Sequence, residues 1–159
     1  MLNIKGLNNI VYLDESGFNG KENFRYKCWA EKGRKVHDKI TGNRFKRESL
    51  LLAQSGDYKN FYAPYIFDGT CNTDFFNGWL EQILLPELPP NQVIIMDNAR
   101  IHKSAKTKEL IEKAGHILLY LPPYSPDLNP IEKTFGLIKR WFRSSTKETT
   151  LSDIILSRL

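Results

Sequence analysis

Apolar runs separated by polar and turn-forming residues predict several strands in this chain. Ile10–Leu13 is predicted to be a short buried strand. Apolar and polar residues alternate enough in Asn23–Gly33 to predict a second strand. Ser49–Gly69 is predicted to form a hairpin that turns at a Ser-Gly-Asp sequence. Two fully apolar runs, Gln92–Asp97 and His116–Leu121, are typical of strands that are buried on both faces.

Segments with helical periodicity lie between and after the later strands. Ser104–Ala114, Pro130–Arg143 and Thr150–Leu159 are predicted helices. Early strands joined by tight turns and later strands separated by helices predict an α/β fold, in which helices cover a mixed sheet. An earlier helix that ends near Pro86 has an N-cap at Asn72 or Thr73 and an apolar stripe formed by Phe76, Trp79, Leu80, Ile83 and Leu84.

Composition and charge narrow the class of protein. With 41% hydrophobic and 26% charged residues, residues 1–159 are expected to form a single soluble domain with a real core. Lys21–Arg47 has ten basic residues against three acids and Lys133–Lys147 has five against none, whereas Ser49–Met96 has one lysine against five acids. Two basic segments favour a nucleic-acid partner, although a solvated lysine-rich surface stays an open alternative. No apolar run approaches the ~20 residues of a membrane span, and cysteine usage fits a cytoplasmic protein.

Three acidic residues stand out by their position. Asp14 ends the first apolar strand, Asp97 ends a later one, and Glu132 lies in the first turn of the helix after a proline-rich loop. Strand ends and helix starts on one rim of an open α/β sheet are the usual place for ligand sites. Carboxylates there suit a hard cation such as Mg²⁺ or Mn²⁺, because these ions prefer oxygen ligands.

Each of these acids also has a competing interpretation. Asp14 precedes Ser-Gly and would fit a turn, while Glu15 is a poor substitute because alternation directs it to the other face. Asp97 resembles a strand-terminal magnesium ligand of a nucleotide-binding protein, but the chain has no G-x-x-x-x-G-K-[ST] loop. In "NPIE", Asn129 is a natural N-cap, which would make Glu132 the third residue of a capping box.

Three motifs together resemble one known family. "YLDESGF", "IIMDNARIHKS" and "LPPYSPDLNPIEKTFGLIKR" resemble the catalytic domain of bacterial insertion-sequence transposases of the Tc/mariner superfamily. The motifs are in order, and 34 residues separate Asp97 from Glu132, the interval expected for this branch. The resemblance covers about residues 8–143. It implies a ribonuclease-H-like fold with a mixed five-stranded sheet flanked by helices, and a catalytic, metal-binding triad of Asp14, Asp97 and Glu132.

The resemblance also implies a reaction and its setting. Two Mg²⁺ or Mn²⁺ ions at the triad would support cleavage of DNA at transposon ends by water, followed by transfer of the 3′-hydroxyl into target DNA, with TA as the expected target. The expected location is the bacterial cytoplasm, in association with the nucleoid. A homodimer that holds two ends is a further hypothesis.

One departure from the family pattern keeps other functions open. The first catalytic strand begins within ten residues of Met1, so the helix-turn-helix DNA-binding region of full-length members is expected to be absent here, and to be encoded separately. The alternatives are an inactive remnant that only binds DNA, or a ribonuclease-H-like nuclease.

The motifs supply candidate DNA contacts as well. Asn98 and His102 match the family's second motif and are interpreted as supporting or DNA-contacting residues rather than ligands, with an exposed structural histidine as the alternative for His102. Tyr124 and four prolines form a stiff loop that aims Glu132 at the aspartates, and Tyr124 is a candidate for stacking on a displaced base. The helix face around Gly136 continues with basic residues. The candidate contacts are Asn98, His102, Lys103, Tyr124, Lys139, Arg140 and Arg143.

Overall fold

A mixed five-stranded sheet forms the centre of the molecule. The computed structural model describes residue 6 and residues 9–19, 47–146 and 148–159. The sheet order is β3-β2-β1-β4-β5; β1, β2 and β3 are antiparallel, whereas β4 is parallel to β1 and β5 is parallel to β4. The predicted mixed sheet is confirmed, and the predicted strand at Asn23–Gly33 lies outside the described residues. The strands are β1 Ile10–Phe18, β2 Glu48–Ser55, β3 Phe61–Asp68, β4 Val93–Met96 and β5 Ile117–Tyr120.

The helices lie where the periodicity predicted them. Asn72 is the N-cap of the first helix and accepts a hydrogen bond from the Phe75 amide (2.8 Å). Among the described residues, no helix combines the length and apolar character that crossing a membrane requires. The helices are α1 Thr73–Trp79, which continues through a π-helical segment (Leu80–Leu84) into α2 Leu85–Glu87, then α3 Ala105–Lys113, α4 Ile131–Ser144 and α5 Leu151–Arg158.

Alternation along β1 produces two apolar cores, one on each face of the sheet. Val11 and Leu13 belong to the core that contains α1 and α3 residues, whereas Tyr12 and Phe18 belong with α4 and α5. Asp14 is in phase with Tyr12, so its side chain lies on the α4 side. The second core is completed by Leu50, Leu52, Ile131, Phe135, Ile138, Phe142, Leu151, Ile154 and Ile155.

The expectation that β5 is a buried strand is wrong. β5 is an edge strand of the described sheet, and Ile117 and Leu119 are 40% and 48% exposed. Leu118 alone of its residues packs against the α1–α3 core. An apolar run indicates burial only when layers cover both faces of the strand, and no described element covers the face of β5 that carries Ile117 and Leu119.

Candidate functional site

Asp14 lies in the middle of β1 rather than at its end. Glu15 to Phe18 remain paired with β2, so both the expected strand end and the alternative turn at Asp14 are wrong. Asp14 is only 7% exposed. Its Oδ1 accepts a hydrogen bond from the Glu15 amide (2.7 Å), and its Oδ2 accepts one from Asn129 Nδ2 (3.0 Å). One oxygen of this carboxylate is therefore held by the β1 backbone, and the other is held by the loop before α4.

Asp97 directly follows β4, the parallel neighbour of β1. Its side chain is 44% exposed. Its Oδ1 accepts hydrogen bonds from the Ala99 amide (3.1 Å) and from His102 Nδ1 (2.6 Å). A carboxylate only accepts hydrogen bonds, so the proton of the second bond is on His102 Nδ1. Both bonds are made to one oxygen, which orients the carboxylate towards the open side of the site.

The position of His102 corrects two expectations. The residue ends a 3₁₀ turn, Arg100–His102, and is 1% exposed, so its interpretation as an exposed histidine is wrong. A ring with so little surface does not contact DNA in this arrangement. The ring packs on Phe76, with centroids 4.5 Å apart, and the Tyr120 hydroxyl donates to the His102 carbonyl (2.7 Å). His102 therefore supports Asp97 from inside the fold.

The two aspartates and His102 form a compact donor group. One ligand atom from each lies within 4.8 Å of the others. Burial, and then repulsion by Asp97, raises the pKa of Asp14 to about 7, whereas the hydrogen bond from His102 lowers the pKa of Asp97. Among the described residues, no lysine or arginine forms an ion pair with either carboxylate. Two adjacent carboxylates that have no lysine or arginine partner among the described residues fit a divalent cation of the Mg²⁺ or Mn²⁺ type.

Glu132 lies on the exposed side of α4, at the mouth of the same site. The capping-box interpretation is wrong, because the N-cap of α4 is Pro130 and no side chain caps the helix. Repulsion by Glu132 also contributes, as a smaller cause, to the raised pKa of Asp14. A cap does not explain this glutamate, which lines the same groove as the two aspartates but lies outside the compact donor group of Asp14, Asp97 and His102.

The three acids face a groove of about 530 Å³. One wall carries the carboxylates, and the other is formed by the loop between β5 and α4. Two cations, Arg100 and Lys103, also lie at the groove. Its remaining lining residues are Asn98, Ala99, Leu121, Pro122, Pro123, Tyr124, Ser125, Pro126 and Asn129.

The other candidate DNA contacts lie in two places. Asn98, Lys103 and Tyr124 line the groove, while the remaining candidates are on α4. Arg140 and Arg143 are exposed there, and the Lys139 ammonium lies 5.6 Å from the Phe18 ring centroid. The basic segment Lys21–Arg47, apart from its last residue, lies outside the described residues.

Asn129 is a functional residue that the sequence interpretation missed. The residue is 3% exposed, and its side chain holds Asp14 while its carbonyl accepts a hydrogen bond from the Glu132 amide (3.1 Å). It thus connects the first and third acids of the triad. Sequence patterns around Asn129 predicted an N-cap and gave no signal for this role, because the contact with Asp14 joins residues 115 positions apart.

A family model described as DDE superfamily endonuclease matches residues 9–155. The chain belongs to this family. The DDE match agrees with the resemblance to Tc/mariner-type transposases that the motifs showed. No similar sequence was found among curated proteins.

Solved structures share the fold of this DDE family member. The Mos1 Strand Transfer Complex aligns with a TM-score of 0.64 and 20% identity, over 94% of this chain and 51% of that chain. The mariner Mos1 paired end complex with Mg gives a TM-score of 0.64 and 20% identity, over 94% and 52%. The catalytic core domain of BIV integrase gives 0.55 and 12% identity, over 94% and 82%. The chain therefore has the ribonuclease-H-like fold of these proteins and spans about half the length of the Mos1 chains.

Proposed function

We propose that this chain is the catalytic domain of a DNA transposase that cleaves phosphodiester bonds with divalent metal ions. The observation that carries the proposal is the close approach of Asp14 and Asp97, together with the position of Glu132 at the same groove. These three residues would hold Mg²⁺ or Mn²⁺, and solved Mos1 complexes contain each of these metals. Such ions polarise phosphoryl oxygens and lower the pKa of bound water.

The chain's own residues set the geometry of this site. Asn129 and the β1 backbone fix Asp14, while His102 and the Ala99 amide orient Asp97 through one oxygen. Hydrogen-bond donors of this kind orient the residues that would hold a metal ion. Glu132 stands on a helix end that Asn129 links to the sheet. The acids are therefore arranged before any substrate arrives.

The basic residues support DNA as the substrate. Arg100 and Lys103 lie at the groove, and Arg140 and Arg143 are exposed on α4. Exposed cations of this kind bind the phosphates of a DNA strand. We further propose that the reaction proceeds to transfer of a 3′-hydroxyl into target DNA containing TA, by a homodimer that holds two ends. The fold similarity to the Mos1 Strand Transfer Complex supports this step.

A plasmid-nicking experiment tests the metal chemistry without knowledge of the transposon ends. The parent protein should convert supercoiled DNA to nicked circles in Mn²⁺ or Mg²⁺ and not in EDTA. Asp97→Asn and Glu132→Gln should lose this activity while circular dichroism shows an unchanged fold. Asp74→Asn, an exposed acid in the first turn of α1, is the matched control and should retain activity.

The products of the same experiment separate the alternatives. Joined products that use a 3′-hydroxyl oligonucleotide as donor support a transposase, whereas nicking without joining indicates a nuclease. Salt-sensitive DNA binding without metal-dependent cleavage indicates an inactive remnant. Equal nicking by Asp97→Asn and the parent would refute the triad assignment.

A further inference from the structure

The groove has an aromatic residue whose exposure is not explained by the fold. Tyr124 is 102% exposed, so it has as much surface as in an extended peptide. Its backbone φ is +57°, a left-handed conformation that is unfavourable for a non-glycine residue. Among the described residues, the ring has no aromatic, cationic or hydrogen-bonding partner. Folding stability therefore gives no reason for a tyrosine at this position.

The loop that presents Tyr124 is tied to the two aspartates at both of its ends. On one side, the Leu121 amide donates to the carbonyl of Met96, the residue before Asp97 (2.9 Å). On the other side, Asn129 donates to Asp14 (3.0 Å). The distance from Tyr124 to the carboxylates is thus set by main-chain and buried side-chain bonds.

Bonds inside the loop restrict it further. The Leu128 amide donates to the Ser125 carbonyl (3.1 Å), and the Asn129 amide donates to the Pro126 carbonyl (3.0 Å), which forms the 3₁₀ turn Pro126–Leu128. Prolines fix φ at three nearby positions, 122, 123 and 126. A ring held this firmly at a surface loses little conformational freedom when it binds a ligand.

We propose that Tyr124 is a base-stacking residue, and that its ring binds a base displaced from the double helix beside the phosphate held at Asp14 and Asp97. This inference rests on the proposed function, because the acids and the two groove cations locate the phosphate. In an intact duplex the base faces are covered by their neighbours, so an aromatic ring stacks most readily on an unpaired base. The groove, at about 530 Å³, is within the range that accommodates compact ligands.

Fluorescence of 2-aminopurine tests this subsite directly. The probe is a short duplex with an unpaired 3′ overhang that carries 2-aminopurine, whose emission falls when its ring stacks. Ca²⁺ is used as the cation because carboxylates also bind it, and a gel verifies that the DNA stays intact. The parent and Tyr124→Phe should quench the probe. Tyr124→Ala should lose the quenching and bind the overhang DNA about 10-fold more weakly, while its binding to fully paired DNA is unchanged.

Two further variants separate stacking from a structural role. Tyr58 is 50% exposed, has φ +61° and lies outside the groove, so Tyr58→Ala is a matched control that should behave like the parent. Tyr124→Gly removes the ring and the backbone strain together, so it should lose quenching without any decrease in Tm.

The outcomes also distinguish this inference from the proposed function. If the parent nicks plasmid DNA but Tyr124→Ala quenches the probe as the parent does, the stacking inference is wrong and the transposase proposal stands. A Tm of Tyr124→Gly well below that of the parent would assign Tyr124 a structural role and overturn the inference. If the parent neither nicks nor binds DNA, both proposals fail together.

Discussion

The two aspartates at the groove have the same functional group in opposite physical settings. Asp14 lies in the middle of a strand and is 7% exposed, whereas the Asp97 side chain is 44% exposed at a strand end. Burial raises the pKa of Asp14 to about 7, and the hydrogen bond from His102 lowers that of Asp97. One carboxylate is disfavoured as an anion in the metal-free protein, and the other is stabilised as an anion.

The two aspartates therefore affect the metal-free protein differently. The ionised Asp14 destabilises the fold, because its charge is desolvated and lies close to a second negative charge. A divalent cation offsets this destabilisation, so metal binding and folding are coupled through Asp14. Asp97 contributes direction, since its hydrogen bonds fix one oxygen and leave the other for a ligand. Variants at the two positions should therefore agree in function and disagree in stability.

The largest expected effect is the shared loss of metal. Asp14→Asn and Asp97→Asn each remove one charged ligand, so Mn²⁺ affinity measured by calorimetry should fall at least about 100-fold in both, a loss of several kcal/mol. Glu15→Gln is the matched control for Asp14→Asn, because it changes the adjacent carboxylate on β1. A normal Mn²⁺ affinity in Asp14→Asn would contradict the assignment of this buried residue as a ligand.

The two variants should differ in the pH dependence of metal-free stability. Asp14 has a pKa of about 7 in the folded protein and an ordinary value of 3.8 when unfolded. Between these values the folded state retains a proton that the unfolded state has released, so this residue's contribution is lost as the pH rises from about 4 to about 7. Asp14→Asn should consequently gain stability over the parent across this window, on the order of 2–4 kcal/mol above pH 7.

The contribution of Asp97 to stability depends on pH in the opposite direction. Its folded pKa is lowered, so its contribution is present above the ordinary pKa and is lost as the pH falls through the folded value. Asp97→Asn should therefore be less stable than the parent at neutral pH. Urea unfolding in EDTA, across this pH range, measures both differences. Equal stability changes in the two variants at pH 8 would remove the basis of the comparison.

A smaller effect on metal affinity is expected when the hydrogen bond that orients Asp97 is removed. His102→Ala removes the donor to Asp97, and the loss of such a supporting bond reduces metal affinity by about 10- to 100-fold. His116→Ala is the matched control, because His116 is also buried and its Nδ1 accepts a hydrogen bond from the Gln92 amide (3.1 Å) away from the groove. Both variants should lose stability, and only His102→Ala should lose metal affinity. Equal affinities would show that His102 is a packing residue.

The smallest expected effect concerns the outer surface rather than the aspartates. Arg140→Gln removes one exposed cation from α4, so the slope of log binding constant against log salt for DNA should decrease by about 0.9. Lys106→Gln, an exposed cation on α3, is the control and should leave the slope unchanged. An unchanged slope in Arg140→Gln would remove α4 from the DNA path.

Local patterns predicted those parts of the fold that depend on local physics. The hairpin, the Asn72 cap and the α4 stripe follow from turn chemistry and periodicity, and the structure confirms them. The family motifs also predicted that Asp14, Asp97 and Glu132 lie near one another, and all three line one groove.

The wrong predictions share a nonlocal origin. Glu-Ser-Gly after Asp14 looks like a turn, yet pairing with β2 extends the strand through it. The run in β5 is apolar, but its position at the sheet edge leaves it exposed. The burial of His102 and the role of Asn129 depend on which elements pack beside them. Sequence patterns contain little information about such contacts.

The parallel pairing of β1 with β4 has a consequence for the order of folding. Ile10 pairs with Val93, so most of the chain must be synthesised before the two aspartate-bearing strands can meet. The β1–β2–β3 meander needs only shorter loops and is available earlier during synthesis. The apposition of two negative charges is thereby postponed to a late stage, when the surrounding apolar cores can hold it. A nascent chain released before β4 emerges would lack Asp97 and therefore the metal site.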